Sequence, residues 1–325
     1  MPDLNGARVF ITGGAGFVGS HIADQSLAAG AASVVVLDDF SRGRRSNLDR
    51  ARASERLEIM EGDLCDRELV DRLTTGADLV FHQAALRITQ AAEEPQRATD
   101  VMVLGTQHVL DAAVEHRVGK VLSASSASVY GEPSYLPMDE SHPFNNRTLY
   151  GAAKIANEQV HRAYAEMYGL RYVMLRPFNV YGSRMDIHGA YTEVMVRWLE
   201  RLSAGEPPVI FGDGHQTMDF VAVEDVARAY LLAATSPVTD DVFNAGSGVE
   251  TSLLALCRLM SEAFGSSLQP EFRPARSVNA VSRRCADTSR ARERLGFEAS
   301  VSLPEGIKRL IAWFREQRLV AGART

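Results

Sequence analysis

Tyr150 and Lys154 lie four residues apart in a stretch that reads as the opening of a helix, a spacing that puts both side chains on one face. A phenol has an ordinary pKa of about 10 and is mostly protonated at neutral pH. A lysine ammonium one turn away favours the phenolate. A phenolate in that setting takes the proton of a substrate alcohol. Ser126 closes the apolar run Lys120–Ser126 and supplies a second hydroxyl that can hydrogen-bond the same reacting oxygen. A Tyr/Lys pair at this spacing also occurs by chance on solvated helix faces, so its meaning depends on what surrounds it.

What surrounds it is a dinucleotide pattern. Val9-Phe10-Ile11-Thr12 runs into Gly13-Gly14-Ala15-Gly16-Phe17-Val18-Gly19, and a helix pattern follows. Gly13 suits a tight turn, Gly16 a close backbone approach to phosphate, and Gly19 a close helix–strand contact, so a pyrophosphate is expected at the helix N-terminus. The apolar run Ser33–Leu37 ends at Asp38, about 20 residues after the turn. A carboxylate there accepts hydrogen bonds from the adenosine ribose and repels a 2′-phosphate, which points to NAD rather than NADP. Arg42, Arg44 and Arg45 follow closely and are the residues that would hold a 2′-phosphate instead. Asp63 is a candidate for the adenine amino group or for the N-cap of a helix over 66–74.

These residues need a scaffold. Strands are expected over 7–12, 33–37, 57–60, 78–82 and 120–126, alternating with helices over 17–29, 66–74 and about 95–116. Continuously apolar strands imply burial on both faces. The expected class is α/β, a doubly wound parallel sheet with its site at the carboxyl ends of the strands, followed by a smaller C-terminal lobe. We expect a first domain over 1–178 and a substrate lobe over 179–325, with some segments (about 215–245) returning to the first. Within the lobe, helices are expected over 191–204, from Glu224 to about 235, and over 251–265, 288–295 and 304–316. Trp198 is expected in the core.

Composition excludes several alternatives. The 325 residues carry a formal charge of -6, which gives no basis for nucleic-acid or anionic-membrane binding. No apolar run approaches the roughly 18 residues of a membrane span, and the start does not read as a signal peptide. Cys65, Cys257 and Cys285 are scattered and odd in number, which suits a reducing cytoplasm and neither a disulfide framework nor a metal site. No metal role is expected for His188 or His215.

In combination the motifs resemble an extended short-chain dehydrogenase/reductase of the NAD-dependent nucleotide-sugar epimerase/dehydratase family. They include Ser125-Ser126-Ala127-Ser128-Val129-Tyr130-Gly131, Arg176-Pro177-Phe178-Asn179-Val180-Tyr181-Gly182, and Phe211-Gly212-Asp213-Gly214 with Asp219-Phe220-Val221. The resemblance runs to Leu295-Gly296-Phe297 and Pro304-Glu305-Gly306. It implies a catalytic set of Ser126, Tyr150 and Lys154. It implies cofactor contacts from Gly13, Gly16, Phe17, Val18, Gly19, Asp38, Asp63, Leu64, Ala84, Ala85, Tyr150, Lys154 and Pro177. Substrate contacts are implied for Arg87, Ser126, Ser128, Tyr150, Asn179 at the diphosphate and Phe211 against the base. A homodimer through a four-helix bundle, built from helices near 100–116 and 150–167, is implied as well.

Members of this family begin by oxidising C4 of the sugar. Dehydratases carry an acidic pair directly after the catalytic hydroxyl residue, and decarboxylases usually carry Glu at the second of these positions. Here the two are Ala127 and Ser128. The expectation is therefore a 4-epimerase acting on a UDP-linked hexose, N-acetylhexosamine or hexuronate. An acid arriving from elsewhere, for instance Glu193, would restore a dehydratase or decarboxylase. A net dehydrogenase or reductase and a non-catalytic NAD sensor are the remaining rivals. Met218 stands where the family places an arginine on the diphosphate. Arg184, Arg276, Arg283 and Arg284 are available as replacements; Arg276 lies near a later phosphate-binding position, and Arg284 at one that lines the sugar pocket.

Overall fold

The computed structural model describes residues 4–187, 193–275 and 281–322. Its strands are β1 (Arg8–Thr12), β2 (Ser33–Asp38), β3 (Leu57–Glu61), β4 (Leu79–His82), β5 (Lys120–Ala124) and β6 (Tyr172–Pro177), then β7 (Asn179–Tyr181), β8 (Val209–Phe211), β9 (Thr217–Ala222), β10 (Asp241–Ala245), β11 (Glu250–Ser252) and β12 (Glu271–Arg273). Its α-helices are α1 (Phe17–Ala28), α2 (Arg67–Thr74), α3 (Ile88–Glu93), α4 (Pro95–Thr99), α5 (Gly105–Glu115) and α6 (Leu149–Tyr168), then α7 (Val194–Ser203), α8 (Val223–Thr235), α9 (Leu253–Phe264), α10 (Ser289–Leu295) and α11 (Leu303–Gly322).

Seven strands form one parallel sheet in the order β10-β6-β5-β4-β1-β2-β3. The inner strands bury almost every residue, as their unbroken apolar runs require. The edge strand β3 carries Glu58 and Glu61 on exposed positions, which discourages pairing with another chain. Strand order reverses between β1 and β4, and their carboxyl ends open the crevice where the glycine turn and Ala84 meet.

Local chemistry fixes the elements that matter to the site. Thr148 caps α6 by accepting the Gly151 N–H at 3.1 Å, and Gly169 ends the helix at φ +69°. That cap sets the first turn, which carries Tyr150. Asp66, not Asp63, caps α2, accepting the Leu69 N–H at 3.0 Å. Strand β5 stops at Ala124, and Ser126 caps a short 3-10 turn over Ala127–Val129.

The expected single helix over 95–116 is interrupted. Between α4 and α5 the chain widens into a π turn at Asp100–Leu104. The Met102 carbonyl there accepts from Asn157 Nδ2 at 2.8 Å and from the Thr106 hydroxyl at 2.7 Å, so side chains stabilise the widened turn. No periodicity in the sequence marks it.

In the C-terminal lobe, β7, β9 and β11 form one small sheet and β8 and β12 another. Trp198, Ile210, Met260, Leu310 and Phe314 share its core. Trp198 is buried, and its indole N–H donates to the Val209 carbonyl at 2.8 Å, a structural use of the ring. The chain then crosses back: α8 packs on α1, and β10 extends the large sheet beside β6. The first turn of the helix expected over 191–204 falls partly outside the described residues, and the described helix begins at Val194. The last helix runs past the expected 316, to Gly322. Among the described residues no helix is long and apolar enough to cross a membrane.

Candidate active site

One cavity of about 1080 Å³ runs from the carboxyl ends of the large sheet into the lobe. Gly13, Gly16, Phe17, Val18, Gly19, Asp38, Asp63, Leu64, Ala84, Ala85 and Pro177 all line it, as do Ser126, Tyr150 and Lys154. Arg87, Ser128, Asn179, Phe211 and Arg284 line it too. Arg276 and His188 lie outside the described residues.

The glycine turn is sterically closed to side chains. Gly13 has φ +65°, and a Cβ there would come within 2.7 Å of the Ala84 backbone. At Gly19 a Cβ would come within 2.3 Å of the Gly13 carbonyl. Gly16 is less crowded by protein than these two. It is the N-cap of α1 in ordinary extended backbone, and a Cβ there would sit 3.0 Å from the Gly13 carbonyl. The helix N-terminus is left bare toward the cavity, with partial positive charge suited to a pyrophosphate.

The Asp38 carboxylate is buried and fixed by the Ala15 N–H at 2.9 Å and the Phe40 N–H at 3.0 Å. Burial pushes its pKa above the ordinary value, and the Phe40 and Ala15 amides oppose that. Of the three arginines that follow, Arg42 pairs with Asp186 and Arg45 with Glu61 at 2.5 Å, while Arg45 also stacks on Phe40. Two of the cations that would meet a 2′-phosphate are thus engaged, and the Asp38 carboxylate remains in the cavity lining. Asp63 accepts from Arg97 at 2.8 Å and from the Cys65 N–H at 2.9 Å, which fixes it in the cavity lining. The cradle and the acidic strand end fit NAD.

At the reacting end, Lys154 is buried and its Nζ donates to the Ala124 carbonyl at 2.6 Å, 5.7 Å from the centre of the Tyr150 ring. Burial pushes the Lys154 amine down to about 8, against the pull of the Glu158 carboxylate. Burial raises the Tyr150 phenol; the hydrogen bond with Ser126 lowers it again, and the negative charge of Glu193 raises it. Ser126 is held by the Ser128 N–H and faces the Ser128 hydroxyl, both at 3.1 Å. His82 lies behind this centre between the Thr12 and Thr106 hydroxyls, 2.7 and 2.9 Å away, and burial keeps it neutral.

Toward the lobe the cavity is lined by Asn179, Met218, Phe211 and Arg284. The Asn179 Oδ1 and the Arg284 Nε are buried with no hydrogen-bond partner among the described residues. Burial lowers the Arg284 pKa, and Glu132 is the opposite charge acting on it.

Two cavity residues, Asp186 and Asn47, escaped the sequence reading. Asp186 joins Arg42 and, at 3.7 Å, Arg87, while Arg184 of the same loop, offered by the sequence as a diphosphate contact, pairs with Asp24 of α1 at 2.6 Å. Asn47 donates to the Ala15 carbonyl at 2.9 Å beside the glycine turn. Each comes from a segment without a local pattern, and only the tertiary fold brings them to one place.

Comparisons with known proteins agree with this geometry. A family model described as "NAD dependent epimerase/dehydratase family" matches residues 9–246. A UDP-glucose 4-epimerase of Mycolicibacterium smegmatis is 38% identical over 313 residues, covering 95% of this chain and 99% of its own. A UDP-glucose 4-epimerase structure from Thermotoga maritima, determined with UDP-glucose, is 34% identical with a TM-score of 0.90, covering 96% of this chain and 99% of that one. A UDP-N-acetylglucosamine 4-epimerase from Methanobrevibacter ruminantium, in complex with UDP-N-acetylmuramic acid, is 31% identical with a TM-score of 0.92, at 96% and 99% coverage. With a glycine turn at a helix N-terminus, a carboxylate at the next strand end and a Tyr–Lys pair lining one cavity, and with these matches, this chain belongs to the NAD-dependent epimerase/dehydratase family.

Proposed function

We propose that the protein is an NAD-dependent 4-epimerase of UDP-sugars, with Ser126, Tyr150 and Lys154 as its catalytic residues. The observation that carries this reading is the turn after Ser126. Its two positions are Ala127, which is buried, and Ser128, whose hydroxyl meets that of Ser126, so neither offers a carboxyl to the substrate. NAD, when bound, would supply the hydride acceptor and donor for C4. Tyr150, as phenolate, takes the C4 hydroxyl proton, with Ser126 hydrogen-bonded between them. Lys154 supplies the positive charge that favours the phenolate. Without a carboxyl from the turn after Ser126 to drive elimination, the 4-keto sugar has one simple course: it turns over and is reduced on its other face.

In this reading residues 1–178 hold the cofactor and residues 179–325 the nucleotide sugar, with part of 215–245 returning to the first domain. Asn179 and Arg284 take the diphosphate or an anionic sugar substituent, Arg87 and Ser128 assist at the sugar, and Phe211 stacks on the base. The unpartnered polar atoms of Asn179 and Arg284 support this, because buried donors and acceptors are costly unless a ligand satisfies them. Arg284→Met should raise KM for the nucleotide sugar by roughly 10- to 100-fold, the worth of a charge-assisted hydrogen bond. Bound NAD should be unchanged. A KM equal to that of the wild type would remove Arg284 from the substrate site.

A homodimer is proposed as well: Leu104, Leu149, Met167 and Tyr168 are exposed on the π turn and on α6, which itself packs against α5, and they suit pairing with a second copy. The three unpaired cysteines support a cytoplasmic setting.

The test is mass and NMR analysis of UDP-hexose, UDP-N-acetylhexosamine and UDP-hexuronate incubated with the purified protein and no added NAD. A product of unchanged mass with inverted C4 is expected. A product lighter by one water or one CO2 would instead favour dehydration or decarboxylation. One observation gives that second reading a candidate: Glu193 lines the cavity and its charge reaches Tyr150.

A further inference from the structure

Behind the reacting end lies a buried charge pair that does not line the cavity. Glu158, one turn beyond Lys154 on α6, and Arg176, at the end of β6, are each 4% exposed. Their contact is bidentate, Nε to Oε1 at 2.8 Å and Nη2 to Oε2 at 2.6 Å. Arg176 is in turn fixed by the Tyr130 hydroxyl at 2.8 Å and the Glu140 carbonyl at 3.0 Å, and Tyr130 donates to Asn244 at 2.6 Å. A buried pair of this kind is a weak source of stability, because desolvation offsets most of the attraction. Its geometry points elsewhere. Glu158 also accepts a hydrogen bond from the Ser125 hydroxyl. Ser125 lies between Ala124, whose carbonyl receives Lys154, and Ser126.

We propose that Glu158 is a positioning residue of the catalytic centre: clamped by Arg176, it fixes Ser125, and through it both the Ala124 carbonyl that receives Lys154 and the orientation of Ser126. The proposal rests on the assignment of Ser126, Tyr150 and Lys154 as the catalytic residues. Glu158 has a second effect on the same centre, since its carboxylate is the opposite charge acting on the Lys154 amine. The other titratable groups around Lys154 do not replace it. His82 on β4 and His161 on α6 are both held neutral by burial, His161 at about 4. Tyr150 lies on the same face of α6 and Arg176 faces Glu158 from β6. Removing the carboxylate lowers the pKa of Lys154, so the ammonium that supports the phenolate is lost at a lower pH.

Glu158→Gln, assayed as the whole chain with its bound NAD, should lower kcat by about 10- to 100-fold, the scale of a misplaced reacting group. KM for the nucleotide sugar should be nearly unchanged. The alkaline limb of kcat should move down by about one pH unit, the low end of the effect of one nearby opposite charge. Glu158→Asp, which keeps the charge, should leave that limb in place. Asp225→Asn, at a buried carboxylate that does not line the cavity and binds Arg228 and the Ser300 and Val301 amides, serves as the control: it should lower the melting temperature without moving the limb. If Glu158→Gln does not fold because Arg176 is left unpaired, Ser125→Ala keeps the ion pair and cuts its link to β5, and kcat should fall with KM unchanged. A Glu158→Gln protein with wild-type kcat and limb, or a Ser125→Ala protein with wild-type kcat where the first does not fold, overturns the proposal. If Tyr150→Phe and Lys154→Met also retained activity, the failure would lie with the catalytic assignment itself.

Discussion

Tyr150→Phe should lower turnover by about 10²- to 10⁴-fold, the usual contribution of a positioned acid–base group. Bound NAD and the melting temperature should stay close to those of the wild type. The substitution keeps the ring, its packing beside Lys154 and the capped first turn of α6, and removes one oxygen. The pH dependence separates this chemical effect from a structural one. Lys154 is pushed down to about 8. Below that pH it is an ammonium and favours the phenolate; above it the amine is neutral and that support is withdrawn. Wild-type turnover should therefore decline as pH rises through about 8, and the residual rate of the Phe variant should not follow that limb. A Phe variant that turns over at close to the wild-type rate would take Tyr150 out of the chemistry. Activity of the protein in its biological setting independent of Tyr150 would favour a non-catalytic role.

Gly19→Ala should yield a protein that holds no NAD and is inactive, because the added Cβ meets backbone rather than a side chain. It would lie 2.3 Å from the Gly13 carbonyl oxygen and 2.8 Å from the Gly14 Cα, and neither can swing aside. The turn or α1 must move, which displaces the amides facing the pyrophosphate and costs about 1–3 kcal/mol of stability, the scale of an overpacked site. Gly16→Ala is the instructive contrast. Its backbone is extended and the added Cβ would lie 3.0 Å from the Gly13 carbonyl oxygen, so a shift of a few tenths of an ångström relieves it and the melting temperature should stay near that of the wild type; NAD lost there would be lost to the Cβ meeting the phosphate and not to a displaced turn. Mass analysis of nucleotide released on denaturation, alongside thermal melting, reads both effects. NAD retained at the wild-type level in Gly19→Ala would mean that the glycine contact is not what shapes the cradle.

Much of this protein is legible in its sequence because the relevant signals are local. A glycine turn after a buried strand, Asp38 at the next strand end, and a Tyr and Lys one turn apart are each fixed by a few neighbouring residues. Strand and helix positions follow from unbroken apolar runs and caps such as Thr148 and Gly169, with ends shifted by a few residues. Two local readings failed for physical reasons. Asp63 lost the cap of α2 to Asp66, because the cap side chain must reach the N–H three residues on. The helix over 95–116 acquired a π turn because Asn157 and Thr106 claim the Met102 carbonyl, and Asn157 lies on another helix.

Sequence by itself determined the cofactor cradle, the Tyr–Lys pair and the absence of a carboxyl after Ser126. Each of these depends only on residue type at a fixed offset. Tertiary structure alone decided which cations are engaged and which are open. Arg42, Arg45, Arg97 and Arg184 meet carboxylates from distant segments, whereas Arg284 keeps a buried Nε with no hydrogen-bond partner among the described residues. It also decided that Glu158 and Arg176, 18 residues apart on a helix and a strand, close on each other behind the reacting end. Charge pairing requires atoms within about 4 Å, and chain distance does not encode that proximity.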